Sequence, residues 1–166
     1  MSKRSHRWSA PLASAVAVFI ASAALTRGAD AQVLAARRVS ADGAQRAITA
    51  SAAEARKQGW AVSIAVVDPA GELVAFLRLD GAPYSSVDVA RAKARTAARF
   101  RRPTRSLDSA LTAGRVAILG LEGATPVEGG VPIVLNGEVV GAVGVSGVTS
   151  AQDAQVAQAG AASVKP

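Results

Sequence analysis

Two tight turns set between β-branched runs constrain this chain most. In the first, residues 62–68 and 73–79 flank Pro69-Ala70-Gly71. In the second, residues 131–135 and 138–146 flank Asn136-Gly137. That dipeptide suits the positive-φ positions of a two-residue hairpin. Outside these turns the apolar period changes from two to 3.6. Ala44, Ala47, Ile48, Ser51, Ala52 and Ala55 form one helical stripe over 41–58, with Ser40 or Asp42 as cap and Gly59 as stop. A second helix is predicted from a Ser85 or Ser86 cap to about Arg101, stopped by Pro103. Thr104 can cap a shorter helix over 105–113, and residues 114–130 are irregular and glycine-rich. Ser150 and Asp153 read as a capping box opening a last helix to about Ser163. The order helix–hairpin–helices–hairpin–helix predicts an α/β (α+β) fold, an antiparallel sheet with packed helices.

The first 31 residues predict a signal peptide. Lys3, Arg4 and Arg7 form a basic start, residues 10–25 are uncharged and apolar, and Ala29-Asp30-Ala31 fits the small-x-small cleavage pattern. The apolar run is shorter than the roughly 20 residues that span a bilayer. Cleavage would leave residues 32–166 as one domain, exported to the periplasm or beyond, with no stable membrane span. The whole sequence carries a formal +7. Lys3, Arg4, Arg7, Arg27 and Asp30 leave with the leader, so the remainder carries +4. That modest charge, with no aromatic stacking platform, argues against nucleic acid as partner.

Composition excludes much chemistry. There is no cysteine, the one histidine is His6 and the one methionine is Met1. Once the leader is removed, no imidazole, thiol or thioether remains for acid–base work or for the usual zinc and haem ligation. Four features remain. Gly129-Gly130 can present backbone N–H groups to an anion or simply turn the chain into a strand. Glycines 141, 144 and 147 within a strand mark close backbone approach. Arg91, Arg95, Arg99 and Arg102 share a helical face, solvated, clamping carboxylates or phosphates, or meeting another subunit. Lys93 lies at the edge of the neighbouring alanine face, where it can be partly buried and paired. Tyr84, the only tyrosine, reads as a partly buried cap on the core; as phenolate it can ligate ferric iron. No carboxylate pair stands at a spacing diagnostic of acid–base catalysis, and no catalytic residue is assigned.

Several motifs in order resemble one family. Val66-Val67-Asp68-Pro69-Ala70-Gly71-Glu72-Leu73 is similar to its V-V-D-x-x-G-x-L signature. Lys93-Ala94-Arg95-Thr96-Ala97, followed by Arg102-Pro103-Thr104, is similar to its K-A-x-T-A helix. Gly129-Gly130-Val131-Pro132-Ile133, Asn136 to Gly141 and Gly144-Val145-Ser146-Gly147 resemble its closing hairpin, and Gln152-Asp153 with Val156-Ala157 its last helix. This is the GlcG/HbpS family of haem-binding or haem-degrading domains, similar also to the C-terminal domain of PduO-type proteins. The resemblance covers about residues 40–163. It implies a profilin-like α/β domain, assembly into homo-oligomers, and haem as ligand, bound through histidine in some members. The expected function is an exported, non-catalytic module binding haem or a similar small anion. Tyr84 or Lys93 would then be the iron contact, and helix arginines such as Arg91 and Arg95 would face the propionates. The alternatives are an enzyme or enzyme accessory acting on a small carboxylate, with the Gly129-Gly130 backbone as anion site, and a structural oligomer without ligand.

Overall fold

The computed structural model describes residues 36–166; the expected leader lies outside them. Helix α1 (Ala41–Gln58) is followed by β1 (Ser63–Val67), β2 (Leu73–Arg78), α2 (Ser86–Arg99) and α3 (Arg105–Thr112). A 3-10 turn (Val116–Gly120) leads to β3 (Gly130–Leu135), β4 (Glu138–Ser146) and α4 (Ser150–Ser163). The strands form one antiparallel sheet in the order β2-β1-β4-β3. The expected α+β architecture is what the chain forms, with one regular turn inside the stretch expected to be irregular.

The sheet is covered on both faces, so its central strands read as continuous apolar runs rather than alternating ones. Ile64, Val66, Ile133, Val143 and Val145 pack with Ile48, Ala52 and Val156 of α1 and α4. On the other face, Ala65, Val67 and Ala142 pack with Ala90, Ala94, Ala97 and Ala98 of α2. All five residues of β1 are therefore buried. Alanines on α2 and glycines on β4 let helix and sheet touch backbone to backbone. A Cβ on Gly144 would run into the carbonyl of Ala90 and the N–H of Ala94. The glycines of β4 are thus packing positions.

Three capping expectations are corrected. The last helix is capped by Thr149 and Gln152, which satisfy each other's backbone N–H groups. Asp153 is instead buried. Ser85 and Thr104 precede α2 and α3 but neither hydroxyl caps its helix. The Ser86 hydroxyl lies 2.6 Å from the Pro83 carbonyl and 2.8 Å from Ser63 Oγ. Helix α2 ends at Arg99, before the expected Arg101, which takes φ 54°. Arg102 therefore falls off the arginine face.

Candidate functional site

A groove of about 330 Å³ opens between α2, the β1–β2 turn and residues 123–125. The β1–β2 turn is built first. Asp68 Oδ1 accepts the N–H groups of Ala70 and Glu72, each at 2.9 Å, and Asp68 N donates to the Glu72 carbonyl at 2.9 Å. Gly71 closes the turn at φ 88°, where a Cβ is disfavoured. Its missing side chain has a second use, because a Cβ there would stand 2.8 Å from Arg95 Cγ. The stem of Arg95 thus lies directly on the turn. Its Nε donates to the Gly71 carbonyl at 3.4 Å and its Nη2 to Glu72 Oε1 at 3.0 Å. One helical turn earlier, Arg91 faces Asp88 across 3.9 Å. The opposite wall hangs on buried Thr96, whose Oγ1 accepts the Thr125 N–H at 2.9 Å and donates to the Ala92 carbonyl at 2.8 Å.

Lys93, Gly129 and Gly130 belong to a different, sealed cluster. Lys93 Nζ meets Asp153 Oδ2 at 2.8 Å, and both side chains are 2% exposed. Nζ also donates to the Val145 carbonyl at 3.1 Å, and Asp153 Oδ1 accepts the Val148 N–H at 3.2 Å. Burial pushes the Asp153 carboxyl above its usual range, against the opposing pull of Lys93 and the backbone N–H groups of Val148 and Gly147. Gly129 leaves room for the ammonium: a Cβ there would lie 2.8 Å from Nζ. The Gly130 N–H donates to Thr104 Oγ1 at 2.9 Å, and both glycines are buried. The Gly130 N–H and both glycine carbonyls are engaged by the fold's own bonds, and the lysine expected to reach iron is buried against Asp153.

Tyr84 is 85% exposed rather than partly buried, because it sits in the turn before α2, outside the sheet's cover. The Arg78 guanidinium lies 4.4 Å from its ring centroid. Tyr84 does not line the groove. The Val87 N–H donates to its carbonyl, and the spacing 84, 88, 91, 95 continues the groove's stripe of α2 toward its start. Of the six expected site residues, the structure brings Arg91 and Arg95 together, leaves Tyr84 beyond one end, and encloses the other three. Glu72, Thr96 and Asp153 were missed. A turn accounted for Glu72 and a cap for Asp153, and Thr96 stood inside a helix with no local signal of its partner. Among the described residues no cluster of three or more His, Asp or Glu could hold a metal ion, and no helix is long and apolar enough to cross a membrane.

A two-sided α+β sandwich with a charged surface groove defines a small domain of ligand-binding type. The family model described as "Haem degrading protein HbpS-like" matches residues 39–162, and the chain belongs to that family. It is 46% identical to protein GlcG of Escherichia coli K12 over 98 residues, 59% of this chain and 73% of that one. The crystal structure of HbpS superimposes with a TM-score of 0.74 at 34% identity, covering 79% of this chain and 93% of the other. The crystal structure of a PduOC–heme complex shares the fold, with a TM-score of 0.69 at 23% identity over 76% and 95% of the two chains.

Proposed function

We propose that this chain is an exported binding protein for a carboxylate-bearing small anion, with haem, which the description of its family names, as the ligand. The observation that carries this reading is the pair Arg91 and Arg95 on one wall of the groove. Two permanently charged forks, one turn apart on a helix, match two carboxylates such as the propionates of haem. The groove, about 330 Å³, lies at the small end of small-molecule sites. A haem would be held by its propionate edge, with much of the macrocycle outside the groove.

The donor set fits such a haem in a particular way. The described residues offer no imidazole, thiolate or thioether, and Lys93 is sealed by Asp153. Tyr84 is the open oxygen donor suited to ferric iron. Iron would supply redox chemistry when bound. The chain's own part is to hold the carboxylates with Arg91 and Arg95 and to offer the Tyr84 oxygen. Export is supported by the basic start, apolar run and Ala29-Asp30-Ala31. Self-association is supported by exposed Val116 and Leu119.

Titration of the full chain with hemin should give a shifted Soret band. Arg91→Ala and Arg95→Ala should each weaken binding about fivefold, as partly exposed charge contacts do. Tyr84→Phe should remove the ligand-to-iron charge-transfer band and leave the fold intact. A missing Soret shift in the unmutated chain would defeat the haem reading and leave the groove to a small carboxylate.

A further inference from the structure

We propose that Glu72 is a specificity-determining residue, which orients Arg95 for end-on contact with a singly charged carboxylate and disfavours a doubly charged phosphate. The inference rests on the groove being the ligand site. A guanidinium has two hydrogen-bonding edges, one formed by Nε and Nη2 and the other by Nη1 and Nη2. The Nε–Nη2 edge of Arg95 is already used, by the Gly71 carbonyl at 3.4 Å and Glu72 Oε1 at 3.0 Å. The Nη1–Nη2 edge has no partner among the described residues. A planar carboxylate can take that edge with two parallel bonds.

The turn that supplies these contacts is held by its own hydrogen bonds through Asp68, so the guanidinium is positioned before any ligand arrives. Charge then sets the class of head group. Arg91 and Arg95 face Glu72 and Asp88 within one groove, and their formal charges cancel. A monocarboxylate and a phosphate dianion meet the same two forks and the same two carboxylates, but the dianion feels the Glu72 charge twice as strongly, so Glu72 weighs against it more than against the monocarboxylate.

Benzoate and phenyl phosphate make the matched probes, since they share a ring and differ in head group. At pH 8 the phosphate monoester is a dianion, its second pKa being about 6. Dissociation constants for the full chain come from NMR titration of the arginine side-chain nitrogens. The unmutated chain sets the reference ratio of benzoate to phenyl phosphate binding. Glu72→Gln keeps the oxygen that accepts from Nη2 and loses only the charge, so phenyl phosphate should gain about fivefold relative to benzoate. Glu72→Ala loses the acceptor as well and should weaken both probes relative to Glu72→Gln. An unchanged benzoate-to-phosphate ratio in Glu72→Gln would overturn the role given to Glu72 while leaving the groove reading intact. Equal binding of both probes by the chain with and without Arg91→Ala and Arg95→Ala would overturn the groove reading itself.

Discussion

Two cations on α2, Lys93 and Arg95, stand two residues apart and lead opposite lives. At about 100° per residue they project from different sides of the helix. Lys93 points between α2, β4 and α4, where it is 2% exposed and bound to Asp153 and the Val145 carbonyl. Arg95 points outward, is 47% exposed, and rests on the β1–β2 turn with one edge of its guanidinium bonded. Both have a carboxylate partner at hydrogen-bond distance. What separates them is solvent. A buried pair has exchanged water for a fixed partner and cannot give that partner up without leaving a bare charge in the core. A half-exposed pair is screened, and Arg95 keeps a second guanidinium edge unbonded beside it. The inner cation therefore ties helices together, and the outer one remains free to take a ligand.

The largest effect should come from breaking the inner pair on one side only. Lys93→Met leaves the Asp153 carboxylate buried with a lost ammonium, and should cost about 3–5 kcal/mol of stability. Lys93→Met with Asp153→Leu removes both charges and should recover most of that loss. Chemical denaturation of the three proteins measures it. A single variant as stable as the parent would mean that water already reaches the pair, and the contrast with Arg95 would fail.

The contrast was only half legible in the sequence. The two hairpins, the four helices and the alanine face of α2 could be read because period and turn chemistry are local. The arginine stripe could be read for the same reason. The partner of Lys93 could not, because Asp153 is 60 residues away and sits three residues after Ser150, a spacing that also makes a capping box. Thr149 and Gln152, one position earlier, make that box and release Asp153 to turn inward. Gly129-Gly130 left two readings open for a related reason. A glycine pair offers backbone N–H groups to a ligand or yields space to a neighbour, and only the packed structure shows Lys93 filling that space. Tyr84 was expected against the core because large aromatics usually are buried. The turn that carries it lies outside the sheet, and Arg78 gives its ring a partner at the surface instead.

Acid should sharpen the comparison more gently. The ordinary aspartate value is 3.8, and burial raises that of Asp153 in the folded protein. Between those two values the native state holds a proton that the unfolded chain has lost. Stability through this group is then greatest at low pH and declines as pH rises through the folded value. Relative to the Lys93→Met, Asp153→Leu double variant, the parent should gain stability on acidification into the carboxylate range. Denaturation midpoints compared across that range test the sign. A parent that loses stability relative to the double variant would show the Lys93 attraction outweighing burial.

The smallest effect on stability should come from the outer cation, and its smallness is the point. Arg95→Ala removes an ion pair whose partners are 47% and 70% exposed, together with one long bond to the Gly71 carbonyl. Exposed pairs contribute about 0–1 kcal/mol, and surface changes away from special features usually stay within about 0.5 kcal/mol. The β1–β2 turn should survive, since Asp68 holds it without help from Arg95. Thermal melting of Arg95→Ala should therefore nearly match the parent, while its hemin affinity falls about fivefold. The two readouts must separate for the groove to be a ligand site. A variant that loses stability in proportion to affinity would make Arg95 a second structural cation, and the difference between the two faces of α2 would be one of degree alone.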